Sequence, residues 1–325
     1  MVLSFKDLQD RVMQVLDETA TNSPTTLTLV KNFLNQSHQQ RCTEFPWNFM
    51  IWPKAVTFAT ASGRQVYALH EEYHRPLYFL NQTTRQYLEE IPNRMIPENG
   101  GDWNATATQS VNRFMPWGMQ PISRQPATTS TITAVSSSTS DTGSKTVTIT
   151  GELSSGLMTS ETLSMNGTTN VVGSTSFQEV TGVTKSTTFV GTLTLTLTTD
   201  AVSVLSLLPA VMGKHYKTIF IPDTIGTSET IEYRFYRHPR ILVNDYDLPN
   251  LPSPHENILV YDTLVSMAGY LTDTGPQSLR IWQDKQAAAQ LNLYQSYANE
   301  GQSVGGGTQF VRWIGDLGDH PRVYR

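Results

Sequence analysis

The chain contains a single cysteine, Cys42, among 325 residues. An intrachain disulfide is therefore excluded, and stability has to come from packing or assembly. A lone cysteine with no accompanying catalytic pattern reads as a small apolar packing residue rather than a nucleophile. Long apolar runs are missing too: none approaches the ~20 residues that span a bilayer. The opening MVLSFKDLQD has no basic stretch followed by an apolar core, which argues against a secretory signal. Positive charge is in short supply, with a net charge of −5 and a pI near 5.8, the opposite of the basic footprint of a generic nucleic-acid binder. GxxxxGK[ST], GxSxG and GxGxxG followed by an acid are all absent, so no P-loop, nucleophile elbow or dinucleotide fingerprint is on offer. Gly305, Gly306 and Gly307 read as a joint rather than a phosphate cradle.

What is present falls into unlike segments. SFKDLQDRVMQVLDETA reads as a helix with Ser4 as N-cap and Asp7 three residues on, and with Phe5, Leu8, Val12, Val15 and Leu16 on one face. A second helix starts at Ser23-Pro24, carries Leu27, Val30 and Leu34, and is stopped by Pro46. From about Trp52 the pattern becomes strand-like, split by Ser62-Gly63 as in a hairpin. KTIFIP and ETIEYRFYRHP are two further strands. LPSPHENILVYDTLVSMAGYL then opens a third helix, with Ser253, Pro254 and Glu256 supplying cap, first-turn proline and capping-box acid. A fourth helix places Trp282, Gln286, Leu293 and Tyr297 on a thin, partly polar face that suits a neighbouring chain. Residues 301–325 form a glycine-hinged tail with interface-type anchors at Phe310, Arg312, Trp313, Arg322, Tyr324 and Arg325.

Between these flanks, residues 127–201 have another chemistry. Nearly half of them are Ser or Thr, and TSTITAV, KTVTIT, ETLSMN and GTLTLTLTT alternate polar with apolar residues between turn signals such as Asn166-Gly167. Period-two alternation gives each strand one apolar and one hydroxyl-rich face, and several such strands read as a β-sandwich. The expected organisation is therefore α+β. Residues 1–126 and 202–300 make one core of four main helices and a small antiparallel sheet, an all-β domain is inserted at 127–201, and 301–325 form a tail.

One string carries apparent chemistry. HEEYH, residues 70–74, matches the H-E-x-x-H of zinc hydrolases. That motif needs a helix, which puts both histidines on one side of one turn. In a strand they stand roughly 13 Å apart, at ~3.3 Å per residue. The surrounding Val66, Tyr67, Tyr73, Tyr78 and Phe79 favour strand, and Pro76 opposes helix. The expectation is an exposed turn, with no catalytic residue, metal or cofactor assigned. A zinc-dependent peptidoglycan hydrolase stands as the alternative, as does a surface or glycan-binding module.

Several stretches together resemble the head-to-tail adaptor (connector) proteins of tailed bacteriophages. These are the helical opening ending in EFPWNFM, SGRQVYALHEEYHRPLYF with Leu69, His70 and Glu72 near its turn, KTIFIPDTIGTSETIEYRFYRHPRIL, and the Leu-Pro-x-x-His start of DLPNLPSPHENILVYDTLVSMAGYL. The adaptors' turn proline is lacking here. The middle block resembles the immunoglobulin-like domains of phage structural proteins, through Gly151, Ser160-Glu161-Thr162, Gly167, Phe177, Val180, Val183 and Gly191. The resemblance implies a non-enzymatic virion protein in the neck, present in the host cytoplasm during assembly. It implies a ring of about twelve copies that binds the portal and a downstream tail or nozzle protein. Double-stranded DNA would pass through the channel without sequence-specific contact, and no membrane is involved. The tail anchors would then meet the portal, and the fourth-helix face a neighbouring subunit.

Overall fold

The structure is a computed structural model that describes residues 2–17, 24–61, 64–91, 110–222, 228–270 and 276–302. It divides into two compact units, Met1–Trp52 with Tyr236–Arg325, and Pro53–Phe235.

The first unit is helical and is built from both ends of the chain. Helix α1 (Phe5–Val15) starts at the expected capping box, in which Ser4 Oγ accepts from Asp7 N and the Asp7 carboxylate accepts from Ser4 N. Helix α2 (Pro24–Thr43) ends three residues before Pro46. The Ser23 cap lies outside the described residues. Helix α3 (Asn257–Met267) begins later than expected, because Ser253–Glu256 form turns ahead of it. Glu256 sits at its N-cap without a side-chain cap bond and instead accepts from Leu3 N at 3.2 Å. Helix α4 (Pro276–Gln302) follows. Phe5, Leu8 and Val12 of α1, Val30 and Leu34 of α2, Trp47, Met50, Ile258 and Leu264 of α3, and Leu293 of α4 share one core. Each large side chain buried there contributes about 1.5–3 kcal/mol, so the two termini hold each other in place. Val15, expected on the buried face, is 49 % exposed; Gln9 and Met13 take the inner positions.

The second unit is all strand among the described residues. Strands β1 (Val56–Ala59) and β2 (Val66–Ala68) flank Ser62-Gly63 but do not pair with each other. β3 (Tyr73–Asn81), β4 (Gln86–Tyr87), β5 (Glu89–Glu90) and β6 (Arg113–Gln120) follow. β14 (Tyr216–Phe220) and β15 (Thr230–Arg237) close the unit. β1 pairs antiparallel with β15, and β2 with β14. The two sheet orders are β1-β15-β3-β4 and β2-β14-β6-β5. The expected single small sheet is thus two four-stranded sheets. One contains a parallel pair, β5 with β6. The sheets meet through aromatic rings: Phe79 on β3 lies 4.4 Å from Phe114 on β6 and 5.3 Å from Tyr233 on β15.

The remaining strands are β7 (Ile132–Ser136), β8 (Thr142–Glu152), β9 (Met158–Asn166), β10 (Val171–Val172), β11 (Glu179–Lys185), β12 (Leu193–Leu197) and β13 (Val202–Leu207). They form two facing sheets, β10-β7-β12-β13 and β11-β8-β9. Ile132, Ala134, Val147, Ile149, Leu163, Phe177, Leu195 and Val204 fill the space between them. Alternate residues of β7 and β12 are buried, as the period-two pattern requires. The sandwich runs past residue 201, because β13 pairs with β12. Its core also continues into Ile122 and Tyr216. The chain is accordingly a mixed α+β protein, mostly strand, with four helices toward its termini among the described residues. The mainly helical body expected from the sequence is confined to the first unit.

Candidate functional site

HEEYH is not helical. His70 precedes a turn at Glu71-Glu72, and Tyr73 and His74 begin β3. The turn carries the chain from one outer sheet into the other, so the histidines are not stacked on one helical turn. Their neighbours engage them separately. His70 N–H donates to Tyr233 Oη at 2.8 Å, and its Nδ1 accepts from Glu72 N at 3.2 Å. Burial lowers the His70 pKa, against the opposing Glu72 charge. Glu71 is ion-paired with Lys214, and the His74 carbonyl accepts from Lys217 Nζ at 2.7 Å. Among the described residues no three His, Cys, Asp or Glu side chains gather to hold a metal. The string is the fastening of an inter-sheet turn.

The helical unit concentrates polar chemistry in its interior. Arg41 on α2 makes a bidentate pair with Asp262 on α3, Nε–Oδ2 at 2.6 Å and Nη2–Oδ1 at 2.8 Å. Gln286 Nε2 on α4 donates to the same Asp262 Oδ1 at 2.7 Å. Arg41 Nη1 also reaches Glu44, and its carbonyl accepts from Trp47 Nε1 at 2.7 Å. Burial alone lowers the Arg41 pKa, but the Asp262 and Glu44 carboxylates more than compensate and hold it above the usual range. Around this network the EFPWNFM stretch lays Phe45, Trp47 and Phe49 against Tyr294 and Tyr297 of α4. Trp47 lies 5.6 Å from Phe49, and Phe49 lies 5.2 Å from Tyr297. The fourth-helix residues expected to meet a neighbour therefore meet their own chain. Leu293 is fully buried, Trp282 and Tyr297 pack on the core, and Gln286 is bonded to Asp262. Helical period identified the face correctly; a single helix's pattern carries no information on whether its partner lies in the same chain.

Cys42 is buried in this core, and burial pushes its thiol up to about 12, against the charge of Arg237. It stays protonated and packs. His38, also buried, accepts from Asn250 N at 2.9 Å through Nε2. Burial pulls its pKa down to about 4, so it stays neutral. Sequence reading missed both this histidine fastener and the Arg41–Asp262–Gln286 network. A charged residue inside an apolar stripe, as Asp262 is between Tyr261 and Leu264, was the available signal. The tail anchors Phe310, Arg312, Trp313, Arg322, Tyr324 and Arg325 lie outside the described residues.

What remains for partners in this unit is on its surface. The α4 residues opposite the buried stripe expose Ile281 and Leu291, 53 % and 56 % accessible. The loop 241–248 exposes Ile241, Val243, Leu248 and Tyr246, the last at 88 %. Hydrogen bonds brace that loop. Asp247 Oδ2 accepts from Val243 N and Asn244 N, and the Asp247 carbonyl accepts from Phe5 N at 2.8 Å.

No protein-family model matches this chain, and no curated protein matches it either. Among the described residues, no helix is long and apolar enough to cross a membrane.

Proposed function

We propose that this chain is a structural protein of the neck of a tailed bacteriophage, a head-to-tail adaptor whose ring joins the portal to the tail and lets double-stranded DNA through. The middle sandwich is, on this reading, an immunoglobulin-like domain facing outward. The observation that carries the proposal is the union of both chain ends in one helical core, with the strand-rich middle as a separate unit, in the order that the adaptor resemblance implies. The exposed apolar side chains Ile281 and Leu291 of α4, and those of the braced loop 241–248, are of the kind that a closing head-to-tail interface and a docking partner bury. They replace the inward-facing Trp282 stripe as subunit and partner contacts. A net charge of −5 suits a wall along which a polyanion slides.

Sedimentation of the chain with portal-bearing heads tests the proposal. Stoichiometric co-sedimentation, lost when residues 301–325 are removed, is expected. A chain that stays in the supernatant, or that binds heads lacking portal equally well, contradicts it.

A further inference from the structure

One feature of the strand-rich unit belongs to neither the sandwich core nor the inter-sheet turn. Strand β6 pairs with β14 in register at Gln120–Tyr216 and Met119–Lys217, and again at Pro116–Ile219. Trp117 and Gly118 therefore stand opposite Thr218 alone. The arrangement is a β-bulge, a device that re-aims a side chain. Gly118 N donates to Thr218 Oγ1 at 3.0 Å and fixes it. The result is an indole 50 % exposed on the protein surface, supported on one face by Phe220 with ring centres 4.9 Å apart. A tryptophan turned outward forgoes burial that an inward one would provide.

The indole stands in a groove of about 890 Å³, within the range of small-ligand sites. Two guanidiniums, Arg64 and Arg124, line the same groove, with Gln65, Gln178 and Thr129 adding amide and hydroxyl groups. Arg64 is partly desolvated and feels the Arg124 charge, and both effects depress its pKa. Arg124 Nη2 lies 3.2 Å from Asp200 Oδ2, while its Nε is buried without a hydrogen-bond partner. Two neighbouring cations thus share the groove with two carboxylates, Asp200 against Arg124 and Glu179 in the lining.

We propose that this groove binds a saccharide carrying an acid group, with Trp117 stacking on a sugar ring and the Arg64–Arg124 pair taking the acid. A pyranose has an apolar C–H face and a polar edge, which match an exposed indole rimmed by amides and hydroxyls. A carboxylate or phosphate supplies the planar or tetrahedral acceptor that guanidiniums bind. Glu179 in the lining and the overall charge of −5 work against a polyanion such as nucleic acid, so one or a few acid groups fit best.

The test is calorimetric titration of the full chain with trigalacturonic acid, the carboxylate arm, and maltotriose phosphate, the phosphate arm. Neutral maltotriose, inorganic phosphate and AMP serve as comparators. Saturable binding of at least one acidic saccharide below about 1 mM is expected, with no match from neutral sugar or phosphate. Trp117→Ala and Arg124→Gln should each weaken it at least about tenfold. Trp117 is 50 % exposed and the Arg124 side chain 40 %, and the melting temperature serves as the folding control. Asp200→Asn, which frees Arg124 from its internal partner, should preserve or strengthen binding. Failure of both acidic saccharides to bind, unchanged affinity in Trp117→Ala, equal binding of inorganic phosphate, or tighter binding of AMP would each overturn the proposal.

Discussion

Replacing Asp262 by alanine removes the anion at the centre of the helical unit. In the wild-type chain its two oxygens take bonds from Arg41 Nε and Nη2 and from Gln286 Nε2, so α2, α3 and α4 meet on one carboxylate. Asp262 and Arg41 are 7 % and 8 % exposed at the side chain, and solvent cannot take over the lost bonds. The substitution strands a buried guanidinium with Glu44 as its remaining charged partner. Leaving one member of a buried pair uncompensated costs about 3–5 kcal/mol, a large part of the roughly 5–15 kcal/mol that holds a domain folded. With two units in the chain, one overall melting curve need not be two-state. Helical circular dichroism during urea denaturation isolates the relevant unit, because the described helices all belong to it. Asp262→Ala should shift that helical transition to lower urea by this amount and leave the strand-rich unit's transition in place. Arg41→Met with Asp262→Leu, which removes both charges and keeps volume, should recover most of the loss. A loss below about 1 kcal/mol in Asp262→Ala, or a double variant no better than the single, would refute the reasoning.

Other outcomes follow from the same geometry. His38 is neutral in the fold with its pKa lowered to about 4, whereas an unfolded histidine titrates near 6.5. Between those values the unfolded state binds the extra proton, so the His38 contribution to helical-unit stability is full above pH ~6.5 and falls toward pH ~4, by about 3 kcal/mol. His38→Gln should flatten that part of the pH profile in urea titrations. In the sandwich, the buried Asp141 carboxylate accepts from Ser136 Oγ, Lys145 Nζ, Val190 N and Gly191 N. Burial alone would raise its pKa, but these bonds outweigh it and hold the group well below the ordinary range. Its contribution is present above an unfolded aspartate's pKa of ~3.9 and disappears in stronger acid. Asp141→Ala should destabilise the strand-rich unit by about 3 kcal/mol or more, read by denaturant melts. Gly151→Ala places a methyl 2.7 Å from Phe177 Cδ1 and against the Glu179 carbonyl. The expected cost is about 1–3 kcal/mol in the same assay.

Legibility in the sequence followed the range of each signal. Local patterns read well: the Ser4–Asp7 capping box, Pro24 opening α2 and the alternation of β7 and β12 are properties of a few consecutive residues. Partner choice did not. β1 and β2 look like a hairpin, yet each pairs with a strand from the far side of the sandwich, about 150 residues away in sequence or more. β6 was missed because Pro116 and Gly118 interrupt its pattern, and the same bulge that hides it turns Trp117 outward. The Trp282–Tyr297 stripe was visible, but its partner was the chain's own Asp262 region. HEEYH was best read through its β-branched and aromatic neighbours, since backbone state decides whether two histidines can share an ion.

Electron cryomicroscopy of purified particles carrying an epitope insertion in the exposed Ser154–Leu157 turn locates the chain directly. A closed ring of about twelve labelled copies between portal and tail, with the label on the outside, is the result expected. Labelled density on the capsid shell or along the tail with none at the neck would contradict the adaptor reading.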